Sequence, residues 1–129
     1  MIHDKDKVFG MLPYVAPELF NFKSKFPPFS KKTDIYSLGV LLWELSSGYP
    51  PFGNRAEIGV IFNIINGTRE KKILNTPSDY YDLYTACWNE NPVKRPIIED
   101  AYNKLKNMTK CNEIVDTIEG IFLNFTLYF

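Results

Sequence analysis

The stretch TDIYSLGVLLWELSS, residues 33–47, decides the fold. Its length and its lack of internal proline predict a helix, with Thr33 or Asp34 able to cap it and Gly48 able to end it. The apolar residues Ile35, Leu38, Val40, Leu41, Leu42, Trp43 and Leu45 do not form one stripe. They surround the helix, and a helix apolar all round is buried on most sides. Residues 33–47 are therefore expected to be the central helix of the domain.

Working outward, Ala16–Phe20 reads as a short helical turn that tolerates Pro17 in its first turn. Asn21–Lys32, with Pro27, Pro28 and four lysines, reads as an exposed loop. Tyr49-Pro-Pro-Phe-Gly53 breaks the chain. Ile58, Ile61, Phe62 and Ile65 recur at helical spacing and predict a second helix over Arg55–Ile65. A third is expected from an Ser78 cap to about Asn89, and a fourth from Pro96 to about Met108. Residues 120–129 are apolar and aromatic, open between strand and helix. The expected fold class is all-α.

Composition narrows the function. The chain has 129 residues, enough for one core, with 45% hydrophobic and 23% charged residues, which is ordinary for a folded domain. Fifteen basic residues balance fifteen acidic ones, so no global field favours nucleic acid or an anionic membrane. His3 is the single histidine, which disfavours a histidine-based metal site or a Ser-His triad. Cys87 and Cys111 form no C-x-x-C pair and no disulfide framework, so an intracellular, cytoplasmic location is expected. No apolar run reaches the roughly 20 residues of a membrane span.

Three separated blocks carry a family resemblance. Gly10-Met-Leu-Pro-Tyr-Val-Ala-Pro-Glu18 resembles the end of the protein-kinase activation segment, with Ala16-Pro17-Glu18 as its A-P-E signature. Asp34-Ile-Tyr-Ser-Leu-Gly39 and the Val-Leu-Leu-Trp-Glu-Leu that follows resemble the central helix of the kinase C-lobe. Cys87-Trp88, Asn91-Pro92 and Arg95-Pro96 are similar to the last kinase block. The blocks stand in the family's order and cover about Val8 to Met108, with a lean toward tyrosine-kinase-like and tyrosine kinases. Residues 1–108 are thus expected to be part of a protein kinase domain, a helical C-lobe around a buried central helix, and 109–129 an unassigned tail.

The resemblance implies roles. Glu18 is expected to pair with Arg95, whose planar fork can hold a carboxylate bidentately. Asp34 is expected to accept hydrogen bonds from the backbone of the catalytic loop, and Trp88 to pack in the core. Gly10, Met11, Tyr14 and Val15 correspond to the substrate-binding loop. Met11 stands where Ser/Thr kinases usually carry threonine, so the acceptor stays open between Ser/Thr and Tyr.

Other kinase parts are not found in the sequence. It contains no G-x-G-x-x-G loop, no V-A-I-K-like strand, no H-R-D-x-x-x-x-N and no D-F-G. The family uses these to bind ATP, hold magnesium and orient the hydroxyl. Val8-Phe9-Gly10 is no substitute, because valine cannot bind a metal, and Asp4 and Asp6 have no motif around them. The expectation is a signal-transduction kinase fragment whose intact family uses ATP and magnesium, with no catalytic, cofactor or metal residue of its own. The alternative is a non-catalytic helical module that meets protein substrates or regulators through the helix over Arg55–Ile65.

Overall fold

The structure, a computed structural model, describes residues 11–21, 23, 25, 26, 30–108 and 120. His3, Asp4, Asp6, Cys111 and the rest of 109–129 apart from Gly120 lie outside them. Four α-helices are found among the described residues: α1 (Lys31–Ser47), α2 (Glu57–Ile65), α3 (Ser78–Cys87) and α4 (Ile98–Met108). Three short 3-10 turns, Leu12–Tyr14, Pro17–Phe20 and Pro92–Lys94, complete the set. No strand occurs among the described residues, and the chain is all-α. It divides into two compact units, 1–97 and 98–129.

In the first unit α1 is the central helix. Thr33, Ile35, Tyr36, Leu38, Gly39, Val40, Leu42 and Trp43 are all buried, which covers most of its circumference. It starts earlier than the sequence suggests. Ser30 is the N-cap and Thr33 the third helical residue, so neither Thr33 nor Asp34 caps the helix. The Thr33 hydroxyl accepts the Ser30 N–H at 3.3 Å, a capping-box arrangement with threonine at its third position. Lys31 and Lys32, good helix formers, extend the first turn. Gly48 ends α1 at φ 70°, its N–H reaching the Glu44 carbonyl at 2.8 Å.

The other boundaries shift for backbone reasons. Ala56 is extended and its carbonyl accepts the Val60 N–H at 3.1 Å, so α2 begins at Glu57 rather than Arg55. Pro77 occupies the N-cap of α3, where its missing N–H costs nothing, and Ser78 is the first helical residue. In the second unit, α4 buries Ala101 and Leu105, one helical turn apart.

The α1–α3 contact sets the frame. The α3 side is an aromatic ladder: Tyr80 and Tyr81 each meet Tyr84 edge-on at 5.8 and 5.4 Å, and Tyr84 meets Trp88 at 4.9 Å. The Tyr80 hydroxyl donates to the Leu42 carbonyl of α1 at 2.5 Å. Gly39 lets the two helices approach. A Cβ there would lie 2.8 Å from the Cys87 Cβ, 2.9 Å from the Tyr84 carbonyl oxygen and 3.0 Å from the Trp88 nitrogen. Two of these atoms are backbone, so no rotamer change relieves the clash. Gly39→Ala is expected to destabilise the chain by about 1–3 kcal/mol, although alanine is the better helix former. A thermal melt showing an unchanged or raised midpoint would contradict this close approach.

Candidate functional site

Arg95 follows the Pro92–Lys94 turn, and its side chain is fully buried. A charge in that setting needs partners for its fixed fork of donors. Its Nη1 and Nη2 donate to the two oxygens of Glu18 at 2.7 and 2.9 Å. Nη1 also reaches the Lys32 carbonyl at 2.9 Å, and Nε the Asn89 carbonyl at 2.8 Å. The Lys32 ammonium donates back to the Arg95 carbonyl. Thr33 Oγ1 adds a contact to Glu18 Oε1 at 3.3 Å. One guanidinium therefore joins the Pro17–Phe20 turn, the start of α1 and the end of the α3 segment.

Tyr36 lies beneath this cluster. The guanidinium carbons of Arg95 and Arg69 stand 5.1 and 5.0 Å from its ring centroid, within cation–π range. Its hydroxyl is buried with no hydrogen-bond partner among the described residues. Burial pushes its pKa up to about 12, against the pull of the two arginines. Trp88, the last ring of the aromatic ladder, is buried. Asp34 is half-buried, and desolvation raises its pKa; no hydrogen bond to its carboxylate is found among the described residues.

The loop ahead of Glu18 is held separately. The Tyr14 hydroxyl donates to Glu44 Oε2 at 2.6 Å, and Ser37 Oγ donates to the Tyr14 carbonyl at 2.7 Å. Burial first, then this bond and the carboxylate's charge, raise the Tyr14 pKa well above the usual phenol value. Met11 is 63% exposed, and Val15 is half-buried in extended backbone after the Leu12–Tyr14 turn. Gly10 lies outside the described residues.

Beside this loop is a cleft of about 190 Å³. Leu12, Pro13 and Tyr14 form one wall, Pro50, Pro51 and Gly53 another, and Arg55, Glu57 and Val60 complete the lining. With its hydroxyl committed to Glu44, Tyr14 contributes ring surface. The cleft suits an apolar side chain flanked by polar groups. Pro50–Gly53 closes with the Gly53 N–H on the Pro50 carbonyl at 3.3 Å and places Phe52 at φ 60°. An aromatic residue in that left-handed region costs on the order of 1–3 kcal/mol. The Phe52 N–H donates to Glu70 Oε1 at 2.6 Å.

Sequence reading did not single out Glu44, Arg69 or Glu70. Glu44 carried a signal, being an acid inside the apolar run of α1 and so in need of a partner. Arg69 and Glu70 sit in a polar loop, where nothing local separates a tethered charge from a solvated one.

The described residues do not include a set that fits a magnesium–ATP complex. No group of three His, Cys, Asp or Glu that could hold a metal occurs among the described residues. The cleft presents prolines and apolar side chains rather than a run of glycine N–H groups. No phosphoryl-transfer step follows from these side chains.

A family model described as protein tyrosine and serine/threonine kinase matches residues 2–105. The chain belongs to this kinase family. Its curated relatives are of both specificities. The human "Mitogen-activated protein kinase kinase kinase 7" is 34% identical over 96 residues, covering 70% of this chain. A Dictyostelium discoideum "Probable LIM domain-containing serine/threonine-protein kinase" is 30% identical over 78% of it. The Caenorhabditis elegans "Tyrosine-protein kinase abl-1" is 31% identical over 84%. The kinase chain spans only 15%, 10% and 9% of these relatives' lengths, respectively.

Two variants test the electrostatics of this kinase chain. Arg95→Lys leaves Glu18 with at most one of two matched donors, and Glu18→Gln leaves a buried guanidinium without its counter-charge. Each is expected to cost about 3–5 kcal/mol in a denaturant titration, and a loss below about 1 kcal/mol would show the pair to be dispensable. Tyr36→Phe should be neutral or slightly stabilising at pH 7, because it deletes a buried hydroxyl that has no partner. The raised Tyr36 pKa means the folded chain holds the phenol proton more tightly than the unfolded one. That stability is complete below the ordinary value of 10.0 and is lost as pH rises through about 12. Melts between pH 9 and pH 12 (about the range set by these values) should therefore fall less steeply in Tyr36→Phe than in the wild type.

Proposed function

We propose that this chain is the substrate-facing helical part of a protein kinase whose intact form transfers the γ-phosphoryl group of ATP to a Ser, Thr or Tyr hydroxyl of a protein. One observation carries the reading. The cleft beside Leu12–Tyr14 lies on a loop fixed at both ends, by Tyr14 on Glu44 and by Glu18 on Arg95. A loop that receives a peptide needs such fixing, because a positioned acceptor supplies much of the rate in phosphoryl transfer. In this reading Gly10, Met11, Tyr14 and Val15 form the substrate-binding loop. Glu18, Arg95 and Trp88 hold it to the helical base. ATP and magnesium supply the phosphoryl group and its charge neutralisation in the intact family.

Asp34 supports the same placement. Its desolvated carboxylate meets no described donor, and it suits the backbone N–H groups of a catalytic loop. Residues 1–108 are assigned to the kinase part and 109–129 to a separate tail. The balanced charge favours protein partners over nucleic acid. Among the described residues no helix is long and apolar enough to cross a membrane. A cytoplasmic site of action is part of the proposal.

A second reading, a non-catalytic interaction module, rests on α2. Its inner side buries Val60 and Ile64, while Ile58, Phe62 and Ile65 are 81%, 68% and 43% exposed at helical spacing. That spacing suits the apolar face of a partner protein.

The 129-residue chain alone is expected to show no magnesium-dependent transfer from labelled ATP to itself or to a generic protein substrate. Clear turnover by the pure chain would overturn the assignment of chemistry to other residues. Phe62→Asp and Ile58→Asp should leave the melting midpoint nearly unchanged. Loss of a specific captured protein in both variants would favour the second reading.

A further inference from the structure

The Pro50–Gly53 turn faces two conflicting demands. Its third residue stands at φ 60°, the position in such turns where glycine is usual. That residue is Phe52, buried at 7% exposure, so the core requires a large side chain where the backbone favours none. The conflict bears on the cleft, because Pro50, Pro51 and Gly53 line it.

Glu70 sits where it can resolve this. Its carboxylate accepts the Phe52 N–H at 2.6 Å, a charge-assisted bond to the strained residue itself. The backbone carrying Glu70 is pinned on both sides. Arg69 donates to the Trp88 and Ile64 carbonyls, each at 3.2 Å, and the Lys71 carbonyl accepts the Trp43 indole N–H at 2.9 Å. Three consecutive residues thus fasten to α3's end, to the cleft turn and to α1. A short hydrogen bond from so fixed a base defines where the turn can lie.

We infer that Glu70 is a positioning residue for the cleft: it holds Phe52 in its left-handed conformation and thereby fixes the Pro50–Gly53 wall against which a docked peptide packs. The docking consequence rests on the substrate-facing reading above. The hold on the turn does not.

The test uses the 129-residue chain, its Glu70→Ala and Glu70→Gln variants, and the capped tripeptide acetyl-Ser-Leu-Ala-amide as probe. Amide exchange and probe binding are followed by nitrogen–proton correlation spectra. Glu70→Ala should speed exchange at Phe52 about tenfold or more, while Val40 and Leu42 in α1 stay within about twofold of wild type. It should also weaken the probe by about threefold or more at the Leu12, Gly53 and Val60 resonances. Glu70→Gln keeps an acceptor oxygen but not its charge, and should fall between wild type and Glu70→Ala on both measures. Unchanged Phe52 exchange in Glu70→Ala overturns the inference. So does an equal loss of protection throughout α1, or loss of fold in both variants, which would mark Glu70 as a general structural residue. A loosened Phe52 with unchanged probe affinity overturns the positioning role. A wild-type chain in which the probe shifts none of the three resonances overturns the docking reading and Glu70's part in it, while the exchange data still decide whether Glu70 holds the turn.

Discussion

A fully buried guanidinium, that of Arg95, is the constraint around which the first unit is arranged. Arg95 carries a charge that cannot be shed, so its donors must find acceptors inside the protein. Four of its hydrogen bonds end on Glu18, Lys32 and Asn89, residues the chain brings together from distant segments. The Pro17–Phe20 turn cannot swing away without stranding that charge, and neither can the first turn of α1. The loop beside the cleft inherits its place from this. Its other tether, Tyr14 on Glu44, lies further along the same helix. The central helix thus acts as a ruler with two marks, one near each end.

The interior solves its polar problems unevenly. Arg95 and Glu18 are satisfied, while the hydroxyls of Tyr36 and Tyr84 are buried without partners among the described residues. For both tyrosines the ring does what the core needs, filling volume and offering a face or edge to neighbours. Tyr36 also receives two guanidinium groups over its ring, so its aromatic surface helps to screen the charge that Arg95 brings inside.

Residues whose pattern depends on the backbone period were legible in the sequence. The all-round apolar surface of 33–47 announced a buried helix, and the 58, 61, 62, 65 spacing announced α2. Helix starts were less legible, because they depend on which residue adopts extended backbone: Ser30 and Pro77 cap α1 and α3 ahead of the expected caps, while α2, capped by Ala56, starts after the expected Arg55. Of the candidate site, Glu18 and Arg95 were named together only through the family resemblance, since 77 positions separate them and no local period links them. Glu70 was invisible for a different reason. Its role depends on the φ angle of Phe52, and a sequence records that angle plainly only when the residue is glycine.

The contact at Gly39 has a further consequence for how such a chain can change over generations. Where side chains pack against side chains, a substitution on one helix can be answered by a smaller residue on the other. Here an added carbon at 39 would meet the Tyr84 carbonyl and the Trp88 nitrogen, which no codon alters. Position 39 is therefore an isolated point in sequence space: any route away from glycine must first move α1 and α3 apart. The aromatic ladder, the Tyr80–Leu42 bond and the carbonyl that holds Arg95 Nε would all have to move with them.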